Sequence, residues 1–212
     1  MEQRIIDELA LPQTTETEKR LAQQMQFIAE IDKLKQVLRM TLLTDGSRRE
    51  NDAEHSWHLA AMAVVLHEYA VEPVDLQRVL KMAVIHDLIE IYAGDTFAFD
   101  TQGNEDKAAR EAAAADKLFS LLPAEQGAEL RALWEEFDRM DSADSLFAAS
   151  LDRLQPFMHN VLTGGHTWKL GRVCAAQVYA RMEPIRRGIP DVWPWVDSQI
   201  KACIAQGLIA AD

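Results

Sequence analysis

Apolar residues recur at intervals of three and four positions along most of this chain, a period typical of helices that bury one face. Strand-like alternation is weak, and only nine glycines and seven prolines occur among 212 residues. The pattern predicts an all-α fold with Asp75 and Asp141 as helix N-caps. The expected helices span about 16–43, 52–71, 75–92, 104–121, 123–138, 141–162, 168–186 and 190–208.

The length favours a single domain over residues 1–212, and a hydrophobic content of 48% is enough to form a core. The two cysteines, Cys174 and Cys203, lack CxxC spacing, which predicts two reduced thiols. The N-terminus has no signal-peptide pattern, and no apolar run approaches the length of a membrane span. These features predict a cytoplasmic protein that does not contact a membrane.

The formal net charge of −12 indicates which partners the surface can attract. A strongly acidic surface repels nucleic acid and anionic lipid, so neither is an expected partner. A small phosphorylated substrate remains compatible with this charge if a metal ion or an arginine supplies a local positive centre.

Ionisable residues interrupt the most apolar part of the chain, VLKMAVIHDLIEIYAGD at 79–95. A helix that is apolar nearly all round is expected to be buried, yet this one carries His86, Asp87 and Glu90. At about 100° per residue, the three side chains fall within one arc of the helix. Buried carboxylates need a counter-charge, so an imidazole and two carboxylates on one patch indicate a metal site.

Two further segments supply candidate ligands, because His55 begins one apolar helix and Asp152 lies within another, after small residues. Alone, His55 would be a capping or core histidine, Asp152 a surface charge, and His86-Asp87 a buried hydrogen-bonded pair. His58 is interpreted as a helix-face side chain near the pocket. Together, two histidines and two aspartates form a set suited to one divalent metal such as Mn, Fe, Co, Ni or Zn, with Mg also considered.

The order of these residues resembles the HD-domain phosphohydrolase superfamily, in particular the branch of bacterial 5′-deoxynucleotidases and their eukaryotic relatives. The resemblance covers about residues 27–185 and is closest in the HDLxExxxGD string that begins at His86. It implies an HD-domain helical bundle with a C-terminal helical extension, assembled as a homodimer. The implied activity is release of phosphate from nucleoside 5′-monophosphates, in particular deoxyribonucleotides, by metal-activated water.

The same resemblance assigns roles to individual residues. Glu90 matches an acidic residue that manages protons beside the metal, and Asp95 matches a second acid of the pocket, although Asp95 could also cap the segment that follows. The metal ligands it implies are His55, His86, Asp87 and Asp152.

Substrate contacts are also implied by the family pattern. Arg39 falls near an arginine that contacts phosphate, but the following loop is one residue longer than in the bacterial enzymes, which leaves Arg48 or Arg49 as substitutes. Met40 stands where those enzymes tend to have tryptophan, so weaker discrimination against ribose is expected.

Two alternatives to a nucleoside monophosphatase follow from the same residues. One is hydrolysis of another phosphomonoester, or of a nucleoside triphosphate at a different bond. The other is a non-catalytic binding module in which four protein ligands close a structural metal site. Glu90 argues against a closed site, because such a site does not need a fifth acidic group.

Overall fold

The computed structural model describes Leu9 and residues 13–210. The remaining positions of the predicted 1–212 domain, including most of the N-terminal extension, lie outside the described residues. The described part is helical apart from one short hairpin of strands β1 (Leu38–Leu42) and β2 (Arg49–Asn51), which confirms the all-α prediction. Its α-helices are α1 (Glu16–Ile31), α2 (Asp52–Leu66), α3 (Leu76–Ile85), α4 (Glu90–Ala93), α5 (Lys107–Phe119), α6 (Ala124–Arg139), α7 (Ala143–Leu162), α8 (His166–Gly171), α9 (Ala175–Arg181), α10 (Glu183–Gly188) and α11 (Trp193–Ala205).

The first predicted helix, at 16–43, was wrong in its second half. Helix α1 ends at Ile31, a short 3-10 turn follows, and β1 then pairs antiparallel with β2. The turn between the strands uses Gly46 at φ 72°, a conformation that glycine adopts without steric cost. Pairing across the hairpin outweighs the helical period, because the strands gain both backbone hydrogen bonds and polar contacts in the interior.

The predicted helix at 75–92 is also interrupted. Asp75 caps α3 as expected, since its carboxylate accepts hydrogen bonds from the backbone N–H groups of Gln77 and Arg78. The helix ends at Ile85, and residues 86–89 form a tight turn before α4. His86 and Asp87 therefore lie in a turn rather than on the continuous helix that the 100° spacing assumed.

Two further helix predictions need correction. Ser142, not Asp141, caps α7, because the Ser142 hydroxyl accepts the backbone N–H of Ser145. The predicted helix at 168–186 consists of the three short helices α8, α9 and α10, separated by breaks near Arg172 and Met182. Arg172 adopts a left-handed conformation (φ 50°), which cannot continue a right-handed helix.

Helix α7 is the central element of the core. It contacts α2, α3, α6 and α10, and Phe147, Leu151, Leu154 and Phe157 on it are buried. Because α7 is surrounded in this way, a polar residue on it faces other protein groups rather than water. Among the described residues, no helix is long and apolar enough to cross a membrane.

Candidate metal centre

Three separate elements bring four predicted ligands together. His55 lies in the first turn of α2, which begins at the N-cap Asn51, and Asp152 lies near the middle of α7. His86 and Asp87 come from the turn that ends α3. These four residues, named here the central cluster, are all buried.

The central cluster is compact. His55 Nε2 lies 2.9 Å from Asp152 Oδ1 and 3.7 Å from Asp87 Oδ2. His86 Nε2 lies 3.1 Å from Asp87 Oδ2 and 3.6 Å from Asp152 Oδ1. Donor atoms of His55, His86 and Asp152 lie within 4.8 Å of one another and could hold one cation. Asp87 Oδ2 lies beside both imidazoles, which makes Asp87 the candidate fourth ligand.

The donor atoms fit a divalent transition metal. His86 Nε2 is buried and has no hydrogen-bond partner of acceptable geometry, although Asp87 is near. Its other nitrogen, Nδ1, contacts the backbone carbonyl of Ala83 at 3.0 Å, which directs Nε2 toward the cluster. A buried nitrogen that lacks a hydrogen-bond partner is expected where a ligand binds. Two nitrogens and two carboxylates are a donor set that Mn, Fe, Co, Ni and Zn accept.

Electrostatics in the central cluster favour a bound cation. Burial lowers the pKa of His86, but the carboxylates of Asp87 and Asp152 outweigh it and raise the pKa to about 10. Burial opposes ionisation of Asp87 as well, yet His86 and Arg39 hold the Asp87 pKa well below its usual range. The cluster therefore retains positive charge beside its carboxylates, and a divalent metal would release the proton of His86 on binding.

Gln155 orients His55 and was not identified from the sequence. Its Oε1 lies 3.0 Å from His55 Nδ1, so the amide can accept that N–H and leave Nε2 free to face the cluster. Gln155 lies three residues after Asp152 on α7, about one helical turn away. That spacing was the one available signal, and a glutamine inside an apolar helix does not by itself indicate a role.

The other end of Gln155 contacts a second group of buried polar residues. Gln155 Nε2 lies 2.7 Å from Glu50 Oε1, 3.1 Å from His159 Nε2 and 3.3 Å from His58 Nδ1. We name Glu50, His58, Gln155 and His159 the glutamine cluster. His58 thus contacts the network beside the site rather than the central cluster, in accord with its interpretation as a helix-face side chain.

Three acids, named here the acidic trio, lie beside the central cluster, to which Arg39 connects them by bonding both Asp52 and Asp87. Asp52, Glu90 and Asp95 place carboxylate oxygens within 4.8 Å of one another, an arrangement that could hold a cation. Asp52, the first residue of α2, was not singled out from the sequence. Gly94, at φ 77° and ψ 149°, adopts a conformation essentially restricted to glycine and turns the chain so that Asp95 joins the trio.

Each acid of the trio resists ionisation. Burial, together with the charges of Asp87 and Asp52, holds the pKa of Glu90 well above its usual range. Burial and Asp87 raise the pKa of Asp52 to about 7, and burial raises that of Asp95. Buried oxygens of Asp52 and Glu90 have no hydrogen-bond partner. The trio is therefore a place where protons can be held close to the central cluster.

The predicted phosphate-binding arginine lies at the site but is already engaged. Arg39 Nη1 donates to Asp87 Oδ2 at 2.8 Å and to Asp52 Oδ1 at 3.1 Å. Arg48 forms an ion pair with Glu54, and Arg49 donates to the backbone carbonyls of Leu38 and Arg39. Neither Arg48 nor Arg49 lines the pocket.

A pocket opens onto the central cluster. His86, Asp87 and Asp152 line it on one side, and Met40 also contacts it. The loop after α4 contributes residues 96–99. The other walls combine charged side chains with six aromatic ones, which are Phe97, Phe99, Trp134, Phe137, Phe157 and Trp168.

The family model of the HD domain matches residues 31–193, well over half of the chain. This chain belongs to the HD-domain family. The resemblance inferred from the spacing of His55, His86-Asp87 and Asp152 is thereby confirmed at the level of the family. Roles of single residues remain predictions.

Relatives of this HD-domain chain include 5′-deoxynucleotidase HDDC2 of Homo sapiens, 30% identical, and of Bos taurus, 31% identical, each over 132 residues. The matched region covers 62% of this chain and 63% of each relative's length.

Solved structures share the fold. One, described as a predicted metal-dependent phosphohydrolase from Magnetospirillum magnetotacticum MS-1, has a TM-score of 0.88 and 49% sequence identity, covering 93% of this chain and all of that one. The PH0347 protein from Pyrococcus horikoshii OT3 has a TM-score of 0.57 and 22% identity, covering 84% and 98%. The second likeness shows the fold alone.

Proposed function

We propose that this protein is a metal-dependent phosphohydrolase that releases phosphate from nucleoside 5′-monophosphates. The observation that carries the proposal is the buried central cluster at the base of an aromatic-walled pocket, with His86 Nε2 lacking a hydrogen-bond partner. His55, His86, Asp87 and Asp152 would hold one divalent metal. The names of the HDDC2 relatives and of the 49%-identical structure support the same chemistry.

A divalent metal bound in the central cluster supplies a water of lowered pKa and polarises a phosphoryl oxygen. The remaining steps belong to the chain. His55 stays neutral, because burial and Arg39 lower its pKa, and a neutral imidazole is the form that binds metal. The aromatic side chains of the pocket offer flat surfaces on which a nucleobase can stack.

Glu90 is the candidate proton donor and acceptor. Burial and neighbouring carboxylates raise the pKa of Glu90 well above its usual range, which makes its carboxyl the candidate to donate a proton to the departing 5′ oxygen of the nucleoside. Asp95, which shares the acidic trio, is the candidate to orient water or substrate beside it.

The preferred sugar is proposed to be deoxyribose, with only weak discrimination against ribose. Met40 lines the pocket and presents a flexible thioether rather than a rigid ring. A flexible side chain can move aside for a 2′-hydroxyl, so ribonucleotides should also be accepted. The ratio of kcat/KM for dAMP over AMP measures this, and Met40→Trp should raise that ratio if the side chain sets it.

A homodimer is proposed as the assembled state. Helix α2 exposes Trp57, Val64 and Val65 at 71%, 51% and 67% of their surface, which is unusual for large apolar side chains on one helix. Light scattering at micromolar concentration should give twice the chain mass of 23.9 kDa, and Trp57→Asp should shift it toward the monomer. A wild-type protein that scatters only as a monomer contradicts this proposal.

The test of function is phosphate release from a panel of deoxyribo- and ribonucleoside 5′-mono- and triphosphates. Each is assayed with Mn, Co, Mg, Ni and Zn and with the metal-free protein. Metal-dependent release from monophosphates supports the proposal. Release of pyrophosphate or triphosphate would instead indicate cleavage at a different bond, and tight metal binding without any turnover would indicate a structural metal module.

A further inference from the structure

The proposed reaction calls for a cationic side chain that meets the phosphate, and each of the three arginines expected from the sequence already makes other contacts. Arg39 donates to two carboxylates through one nitrogen, and its Nε is buried without a partner. Arg48 and Arg49 are held on the outside of the hairpin. Other positive groups that line the pocket are therefore further candidates to bind the phosphate.

Two other arginines line the same pocket. Arg153 follows Asp152 on α7, and Arg181 is the last residue of α9. Arg153 Nη1 forms a hydrogen-bonded ion pair with Asp152 Oδ2. Arg181 has no hydrogen bond or ion pair within the part of the chain that the structure describes, although the pocket wall largely surrounds it.

The surroundings of Arg181 make its isolation costly. Burial and the neighbouring charge of Arg153 lower the pKa of Arg181 to about 9, so it remains positively charged at neutral pH. Arg39 adds further repulsion, and Asp152 and Asp87 offset only part of it. A partly buried charge that has no opposite charge paired with it is stabilised by a ligand that neutralises it. A phosphate dianion bound between Arg153 and Arg181 would offset the repulsion between the two guanidinium groups. It would also supply hydrogen-bond acceptors to Arg181.

We propose that Arg181, assisted by Arg153, binds the phosphate dianion of the substrate at the mouth of the central cluster. The planar guanidinium of Arg181 can donate two parallel hydrogen bonds to phosphoryl oxygens that the metal does not contact. Arg153 joins the two parts of the site, because it also holds the candidate ligand Asp152. This inference rests on the proposed function and names the group that anchors its substrate.

The test compares Arg181→Gln, Arg181→Lys and Arg187→Gln in the metal-loaded protein. Arg187 is an exposed arginine on α10 away from the pocket, so Arg187→Gln removes the same charge as a matched control. Two quantities are measured: the Kd of inorganic phosphate by calorimetry, and kcat and KM for dAMP with Mn²⁺. Metal stoichiometry and circular dichroism are recorded on the same samples.

Arg181→Gln should weaken phosphate binding and raise KM by about tenfold or more, the effect of losing a charge-assisted hydrogen-bonded pair. Metal content should not change. Arg181→Lys should recover part of the lost phosphate affinity, because lysine restores the positive charge but not the two parallel N–H donors of the guanidinium. If Arg181→Gln does not fold, Arg181→Lys alone is compared with the wild type. Arg187→Gln should match the wild type.

Failure of this inference differs from failure of the proposed function. If wild-type protein hydrolyses nucleoside monophosphates while Arg181→Gln keeps its phosphate Kd and KM, the inference is wrong and the function stands. Absence of phosphate binding to the wild type also overturns the inference. If the wild type hydrolyses no monophosphate but binds phosphate through Arg181, the anion site stands and the proposed function is wrong.

Discussion

The central cluster and the glutamine cluster are both buried, both rich in histidine and acid, and joined through His55 and Gln155, yet their polar atoms are satisfied differently. In the glutamine cluster, one amide nitrogen lies within 3.3 Å of acceptors on Glu50, His58 and His159. In the central cluster and the acidic trio, buried atoms of His86, Asp52 and Glu90 lack partners.

This difference shows how to separate a structural polar network from a binding site. A network that is complete within the protein stabilises one arrangement of the core, whereas a group with unused donors and acceptors requires something from outside. The glutamine cluster is not entirely complete, since His159 Nδ1 also lacks a partner. Even so, His86 and Glu90, which each have an unpaired buried atom, line the pocket, where a metal and a substrate could supply the missing contacts.

The largest effect is expected from Asp87→Ala, which removes a candidate ligand from the central cluster. Metal affinity should fall by more than the ~10–100-fold typical of changes around a ligand shell. Turnover should drop to the level of the metal-free protein. Elemental analysis and a phosphate-release assay on the same sample check this, with Asp116→Ala, an exposed aspartate, as control. Full metal occupancy in Asp87→Ala would remove Asp87 from the ligand set.

Glu90→Gln should give the next largest effect, because it keeps the shape of the side chain but cannot exchange a proton. Turnover should fall by about 10²–10⁴, the range of general acid–base steps, with metal content unchanged. Glu111→Gln is the matched control, since Glu111 lines the same pocket but pairs with Lys107. Loss of metal from Glu90→Gln would make Glu90 a ligand, and unchanged turnover would transfer the proton role to Asp95.

Gln155→Met tests whether the two clusters are coupled. Methionine keeps the length of the side chain but cannot accept from His55 Nδ1, so His55 should lose its fixed orientation. Metal affinity, measured by chelator competition, should weaken by about 10–100-fold. Ser150→Ala, a change on the same helix at a hydroxyl that bonds the Leu146 and Pro184 carbonyls, should leave that affinity intact. Equal weakening in both variants would indicate general damage to α7 instead.

The smallest effect on activity is expected from Glu50→Gln, which should act on stability. Burial raises the pKa of Glu50 from 4.5 to about 7. The unfolded chain therefore loses this proton at lower pH than the folded protein, and the wild type loses stability as pH rises from about 4.5 to 7.

Glutamine does not ionise but keeps an acceptor for Gln155. Relative to the wild type, Glu50→Gln should gain on the order of 3 kcal/mol of unfolding free energy by pH 8 and little at pH 4. Denaturant titrations at several pH values measure the difference. Glu129→Gln, an exposed control, should show no such trend, and a gain independent of pH would contradict the raised pKa.

The sequence predicted the helical class through its periodicity and the HD-domain family through the resemblance of its motifs. It also predicted His55, His86, Asp87 and Asp152 as neighbours, which the structure brings together, whereas their role as metal ligands stays a prediction. It did not predict the hairpin at residues 38–51. Five residues of β1 face only three of β2, and an irregular pairing of this kind produces no alternating pattern.

The sequence also did not predict which residues distant in the chain contact one another at the site. Asp52, Gln155 and Arg181 each acquire their role from residues distant in the chain, so local spacing contains no information about them. The break after Ile85 was missed for a related reason. Its apolar residues continue the helical period through the turn, and burial in the core, rather than a glycine or proline, ends the helix.

The hairpin also determines where insertions can be tolerated. Arg39 and Thr41 stand two positions apart on β1, on one face, and reach Asp87 and Glu50, which belong to the two different clusters. Slipping β1 by one residue against β2 would turn both side chains to the opposite face and detach both clusters at once. The exposed turn around Gly46 makes no such contacts. Homologous chains can therefore be expected to vary in length at that turn while keeping the number of residues within β1 fixed.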